Sequence, residues 1–459
     1  MIKEYIEQNR DVIVSTLQDL LRIESVKGHP IQGGPFGMGP ASALNYILSL
    51  AEERGFVTKN VDGYAGHIEY GEGEEYVAVV SHLDVVPAGD GWTHPPYGAE
   101  IHGGRVYARG AIDDKGPAMS TVWALFALKE LGIQPKRKIR LIFGLDEESD
   151  WQCMEHYFRY EPKPIGGFTP DASFPLIYAE KGLTTFRIDI PADAESMSLQ
   201  VLSFEGGERF NMVADHAVAR VDCHSATAAN EFALRLRKSA KEAQMTTSIE
   251  SEDCIVTVQV NGVSAHASRP DSGVNAVIQL AQLLGSGTVS NSSMWRTIGS
   301  WDTKGRGLGI DTEDEETGPL TANLGKAELV DGTYRFYINI RFPIRLKVDQ
   351  LLQTAQSYLS DKWQVSVIEH LPPLYIDPQS VLVQTLMDVY RSFFDDGLEP
   401  RTIGGATYAR AIPNAVAFGA LLPGRDDFAH KVDENWIVDD FLTCIEIYAE
   451  AMTQLSNKL

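Results

Sequence analysis

Cysteine is scarce. Four occur among 459 residues, at Cys153, Cys223, Cys254 and Cys444, with no C-x-x-C pair. Such scattered thiols support neither a disulfide framework nor a thiolate zinc knuckle, and they suit a reducing compartment. Positive charge is also in deficit, with 40 Lys and Arg against 63 Asp and Glu and a formal net charge of -23. That excess repels phosphate backbones, so nucleic acid is not an expected partner. No apolar run approaches the ~18 residues a membrane-spanning helix needs. The opening Met1-Ile-Lys-Glu-Tyr-Ile-Glu-Gln-Asn-Arg10 lacks the apolar stretch of a signal peptide. A cytoplasmic protein without a membrane partner is the expectation, and no internal repeat or low-complexity tract interrupts it.

What is present is ordinary globular material, 44% apolar and 22% charged. The length exceeds what one compact core serves, and two domains, or three at most, are expected. Apolar spacing predicts helices over 2–22, 41–54 and 115–131, with Gly55 and Gly132 as stops. The runs Tyr76-Val-Ala-Val-Val80 and Lys138 to Leu145 read as strands buried on both faces. Helix alternating with buried strand implies a layered α/β domain with a mixed central sheet. From Leu183 the texture changes. Leu183 to Ile190, Ile255 to Val260 and the strictly alternating Tyr334 to Arg341 imply a sheet covered on one face, with helices over 228–243 and 275–284. Residues 305–318 read as an exposed loop or hairpin. Helix and strand texture returns from about Pro378, with a helix over 381–394, a strand over 415–418 and a closing helix over 439–455. The simplest organisation is a discontinuous catalytic domain, 1–184 and 378–459, interrupted by an α+β lid over 185–377.

Acidic residues and histidines collect where the buried runs end. His82-Leu-Asp84 follows the first strand, Asp113-Asp114 follows a glycine turn and opens a helix, and Asp146-Glu147-Glu148 ends the second strand. In open α/β sheets ligands gather at the carboxyl ends of strands. Each piece also has a plain structural reading. His82 and Asp84 suit a satisfied polar pair, Asp113 and Asp114 suit a helix N-cap, and the three acids suit a solvated charge run. Asp171, in Thr169-Pro-Asp171, suits a turn, and the lone His430 suits a structural role. Against these, adjacent acids repel one another and invite a cation, and a carboxylate can bridge two ions. Adjacent residues in extended chain point oppositely, so one glutamate can bind metal while its neighbour faces the reactive water. Metal-assisted hydrolysis is the chemistry implied.

Taken in order, His82-x-Asp84, Gly110-x-x-Asp113-Asp-Lys-Gly116, Asp146-Glu-Glu148, Thr169-Pro-Asp171 and His430 resemble the di-zinc aminoacylase and carboxypeptidase superfamily of metallopeptidases. Phe168 to Gly182, Ser264-Ala-His-Ala-Ser268 and Gly404-Gly-Ala-Thr-Tyr-Ala-Arg410 narrow the resemblance to PepV-type bacterial dipeptidases, over essentially the whole chain. The resemblance implies that His82, Asp113 and Asp171 hold one Zn²⁺ and that Asp113, Glu148 and His430 hold the other, with Mn²⁺ or Co²⁺ as alternatives. It implies Glu147 as general base toward a metal-bridging water, Asp84 as the residue orienting the histidine, and His266 as the oxyanion stabiliser. Asn211, Arg341, Gly404 and Gly405 fall at substrate-binding positions. Arg341 also suits a surface ion pair and His266 a structural role on their own evidence. The expected activity is dipeptide hydrolysis by a monomer whose enlarged lid replaces a partner subunit. An N-acyl amino acid amidohydrolase or deacylase on the same scaffold, and a non-catalytic metal-binding relative, are the alternatives.

Overall fold

A computed structural model describes residues 1–192, 199–286 and 289–459. The chain forms two compact units. The first comprises Met1–Ala179, Tyr375–Arg401 and Ala406–Leu459, and the second Glu180–Leu374 and Thr402–Gly405.

In the first unit, six strands lie side by side in the order Val57–Val61, Ala65–Tyr70, Lys138–Gly144, Tyr76–His82, Gly166–Thr169 and Ala415–Ala417. The last four run parallel, while the first two join by antiparallel pairing. The sheet is therefore mixed, as the sequence predicts. Every residue of Tyr76–His82 is buried, which its Val-Ala-Val-Val core permits because a central parallel strand has no wet face. The helix Lys115–Glu130 is buried almost all round, from Lys115 to Leu128; a helix apolar on every side belongs inside a core. The helices Ile2–Leu21 and Val438–Lys458 bury one stripe each, including Ile13, Leu17 and Leu20 in the former and Phe441, Ile445 and Tyr448 in the latter. A smaller antiparallel sheet joins Glu100–His102, Arg105–Tyr107 and Asn435–Ile437.

Because four strands of the main sheet are parallel, their carboxyl ends share one edge. His82 is in register with Gly144, so the loops that follow the two strands leave at the same level. Asp171 follows the next parallel strand, Gly166–Thr169.

The second unit is an eight-stranded antiparallel sheet, ordered Thr246–Glu252, Ile255–Asn261, His216–Asp222, Gln200–Gly206, Thr321–Val330, Thr333–Phe342, Gly182–Pro191 and Gln364–Leu371. Helices Ala226–Glu242 and Ala276–Gly285 pack one stripe each, Phe232 and Leu236 from the first and Leu280 and Leu284 from the second, into a core with Phe336, Ile338 and Val258. The 305–318 segment holds a 3-10 turn, Arg306–Leu308, and a two-residue pairing of Glu313–Asp314 with Gly318–Pro319, the hairpin alternative of its sequence reading.

Candidate metal centre

Three parallel strand ends and two loops supply the polar groups. His82 is fully buried at the end of its strand. Its Nδ1 stands 3.0 Å from the Asp84 carbonyl oxygen. A carbonyl only accepts, so Nδ1 carries a proton, and Nε2 is the ring nitrogen turned toward Asp113. The Asp84 carboxylate stands 3.6 Å from Nδ1 and accepts the backbone N–H groups of Glu147 and Glu148, both at 3.1 Å. One aspartate thus fixes the histidine through its carbonyl and the neighbouring acidic turn through its carboxylate.

Asp113 faces a different histidine with each oxygen. Oδ1 lies 3.0 Å from His82 Nε2 and Oδ2 lies 2.9 Å from His430 Nε2. His82 Nε2 is also 3.7 Å from Asp171 Oδ2, and His430 Nε2 is 2.9 Å from Glu148 Oε1. The ligand atoms form two triads, His82–Asp113–Asp171 and Asp113–Glu148–His430, each within 4.8 Å internally. Asp114 occupies the N-cap position of the helix Lys115–Glu130 without capping it by its side chain; Oδ2 accepts from the backbone N–H of His82 at 3.1 Å instead. His430 is half-exposed and adopts a left-handed backbone, φ 63°, a conformation few residues other than glycine take.

The electrostatics of this pocket are those of crowded carboxylates. Burial and the neighbouring Asp113 charge push Asp171 up to about 7. Burial also raises Glu147 well above the usual carboxylate range, and Asp171, Glu148 and Asp113 add to it. Glu148 rises through burial and the Asp113 charge. Burial would lower both histidines, but hydrogen bonds to the acids outweigh it, leaving His430 at about 11 and His82 well above its ordinary value. Burial alone would raise Asp113, yet hydrogen bonds from His430 and His82 hold it far below the carboxylate range. Four acids and two imidazoles therefore compete for protons where divalent cations would neutralise them, and N/O donors of this kind suit zinc, manganese or cobalt. The residues fit a pair of such ions.

Several supporting groups carried no legible signal in the sequence. Glu434 is fully buried and accepts from Ile112 N–H at 3.1 Å and Asp113 N–H at 3.3 Å. It pairs with buried Arg109, whose Nη1 is 2.6 Å from Glu434 Oε2 and whose Nη2 donates to the His430 carbonyl at 3.4 Å. This ion pair ties the backbone of Asp113 to that of His430 through contacts that each join residues 321 or more positions apart. Tyr408 packs edge-on against the His82 ring with centroids 6.0 Å apart. A side chain at Gly144 would collide with that phenol, so glycine is required there. Lys27 Nζ reaches Asp146 Oδ1 at 2.7 Å and anchors the acidic turn.

The remaining predicted residues lie in the second unit. His266 Nδ1 is 2.7 Å from Ser268 Oγ. The flanking Ala267 N–H donates to the Asn211 carbonyl at 2.8 Å, so Asn211 and His266 sit on adjoining segments. Asn323 holds the same segment through the Phe210 and Met212 carbonyls, at 3.1 and 2.7 Å. Arg341 is buried, donating Nε to Asn339 Oδ1 at 3.0 Å and Nη1 to the Gly404 carbonyl at 3.3 Å. Arg341, Gly404 and the adjoining Gly405 therefore form one group.

Residues 78–454 match the peptidase family M20/M25/M40. The Bacillus subtilis (strain 168) protein named "Putative dipeptidase YtjP" is 40% identical over 470 residues, covering 99% of each chain. Human carnosine dipeptidase 1 shares the fold at a TM-score of 0.60 and 16% identity, over 99% of this chain and 98% of that one. The Bacillus subtilis YXEP protein, described as a dinuclear metal binding peptidase, shares it at 0.51 and 11% identity, over 99% and 100%. Among the described residues no helix is long and apolar enough to cross a membrane. The chain belongs to peptidase family M20/M25/M40 and is a metal-dependent hydrolase of peptide bonds.

Proposed function

We propose that this peptidase is a dipeptidase working with two divalent ions, zinc in the first instance. The observation that carries the reading is the double engagement of Asp113, whose two oxygens meet two histidines from separate triads. His82, Asp113 and Asp171 would hold one ion, and Asp113, Glu148 and His430 the other. When bound, such ions acidify water and polarise the scissile carbonyl. The rest of the chemistry belongs to side chains. Glu147 takes the proton of the attacking water and returns it to the leaving amine. Asp84 positions it by holding the Glu147 and Glu148 amides. The resemblance assigns His266 the oxyanion, a contribution of about 3 kcal/mol in comparable sites.

Asn211, Arg341, Gly404 and Gly405 are assigned to the substrate. Arg341, kept rigid by Asn339 and the Gly404 carbonyl, suits a free carboxylate because a guanidinium binds one bidentately. In this reading residues 1–184 and 378–459 are the catalytic domain and 185–377 the lid. The dipeptidase name of the full-length Bacillus subtilis relative supports the substrate size. The four free thiols suit a reducing cytoplasm, and the resemblance implies a monomer.

The Glu147→Ala variant tests the assignment of the base. It is expected to keep its metal content and lose turnover; near-normal activity would refute it. A panel of di-, tri- and tetrapeptides tests the length rule, and equal cleavage of all lengths would overturn it.

A further inference from the structure

A second gathering of metal-ligand chemistry lies in the first unit, built from other residues. Glu100 and His102 are two apart on the strand Glu100–His102, so both side chains leave the same face. His94 arrives from the preceding loop. Its Nδ1 lies 3.4 Å from Glu100 Oε2, and His102 Nε2 lies 3.0 Å from that same oxygen. The two imidazoles stack with centroids 4.6 Å apart and planes 28° apart. Tyr107, the register partner of Glu100, closes one side against the His94 ring at 4.1 Å. One atom from each of the three residues falls within 4.8 Å of the others.

The separations match coordination. Two donors bound to one ion at about 2.0–2.1 Å stand roughly 3.0 Å apart at a right angle and roughly 3.4 Å apart in a tetrahedron. The loop that carries His94 is also held in place. Asp433 accepts from Thr93 N–H at 2.8 Å, His94 N–H at 3.2 Å and the Thr93 hydroxyl at 2.7 Å. Arg105, the register partner of His102, commits its guanidinium to Asn435 Oδ1 at 2.7 Å and lies over the Phe428 ring. His102 is 54% exposed, so an ion enters without any unfolding.

We propose that His94, Glu100 and His102 form an additional cation site, separate from the residues assigned to catalysis, for a transition-metal dication such as zinc. Two imidazoles and one carboxylate select zinc, nickel or copper over magnesium and calcium. Three protein ligands leave the remaining positions to solvent.

The test uses the full-length protein, saturated with zinc, dialysed against micromolar free zinc and analysed for metal and protein content. Wild type is expected to retain one zinc per chain more than either His102→Ala or Glu100→Gln, with peptide hydrolysis under zinc saturation within twofold of wild type in both. Asp113→Ala, which strikes the other residues, is expected to keep this additional zinc. That result separates the site from the catalytic reading, because the extra equivalent persists whether or not Asp113 holds metal. Equal zinc content in wild type and in both His102→Ala and Glu100→Gln overturns the proposal. Cobalt substitution gives a second readout. Wild type is expected to show d–d absorption beyond that of His102→Gln, whose remaining bands come from the catalytic residues, and identical spectra count against the site.

Discussion

Away from the metal centre, the first unit carries a buried polar chain whose behaviour with pH is calculable. Arg140 Nη1 donates to Glu161 at 2.8 Å and to the Tyr157 hydroxyl at 3.1 Å, and the Tyr157 hydroxyl lies 2.8 Å from His67 Nδ1. With Arg140 donating into its oxygen, the phenol donates onward, and Nδ1 must be bare. His67 is 3% exposed, and burial together with the Arg140 charge lowers it from 6.5 to about 4. The native state therefore binds fewer protons than the unfolded chain between those values. Stability is complete above pH 6.5, is lost progressively as pH falls from 6.5 to about 4, and levels off below that. At about 1.4 kcal/mol per tenfold change in proton affinity, the full loss is about 3 kcal/mol, of which about 2 kcal/mol falls between pH 7 and pH 5. Urea unfolding of wild type and His67→Gln at pH 7, 6 and 5 measures it. The difference between the two proteins is expected to shrink by about 2 kcal/mol over that range, because only wild type has an imidazole to protonate. Parallel pH dependences would refute the argument.

Four further outcomes are expected. Asp113→Asn should release both equivalents of metal whereas Asp171→Asn should release mainly one, as elemental analysis after dialysis would record. Glu434→Ala leaves the buried Arg109 charge unpaired and should cost about 3–5 kcal/mol in chemical denaturation, with Glu434→Gln milder. Arg341→Lys should raise KM for dipeptides with a free carboxylate roughly tenfold, the worth of one charge-assisted hydrogen bond, and leave C-terminally amidated substrates unchanged. Trp123→Ala, which removes a buried ring hydrogen-bonded to Thr16, should cost about 3–5 kcal/mol without altering metal content.

The fold class was legible because its strongest elements are written in plain periodicities. Tyr76–His82 is a continuous apolar run, and Thr333–Phe342 alternates along its first half. Elements without such a pattern were silent. The edge strand Val57–Val61 exposes Lys59 and Asn60 and shows no alternation, and the short helices Gln152–Tyr160 and Ser292–Gly299 begin after left-handed Trp151 and Asn291 rather than a capping side chain. Local chemistry does not separate Asp113 from Asp114. Space does, since one turns both oxygens to histidines and the other receives the His82 amide. Arg109 and Glu434 could not be paired from sequence, because their meeting depends on a sheet register between segments more than three hundred residues apart.

More than half of the chain's length separates Asp171 from His430, and the strand Ala415–Ala417 joins the main sheet only after the second unit has been made. On the ribosome, the proposed cation pair must wait for nearly the whole polypeptide. A nascent chain built in this order holds only part of the proposed ligand set until translation is almost finished.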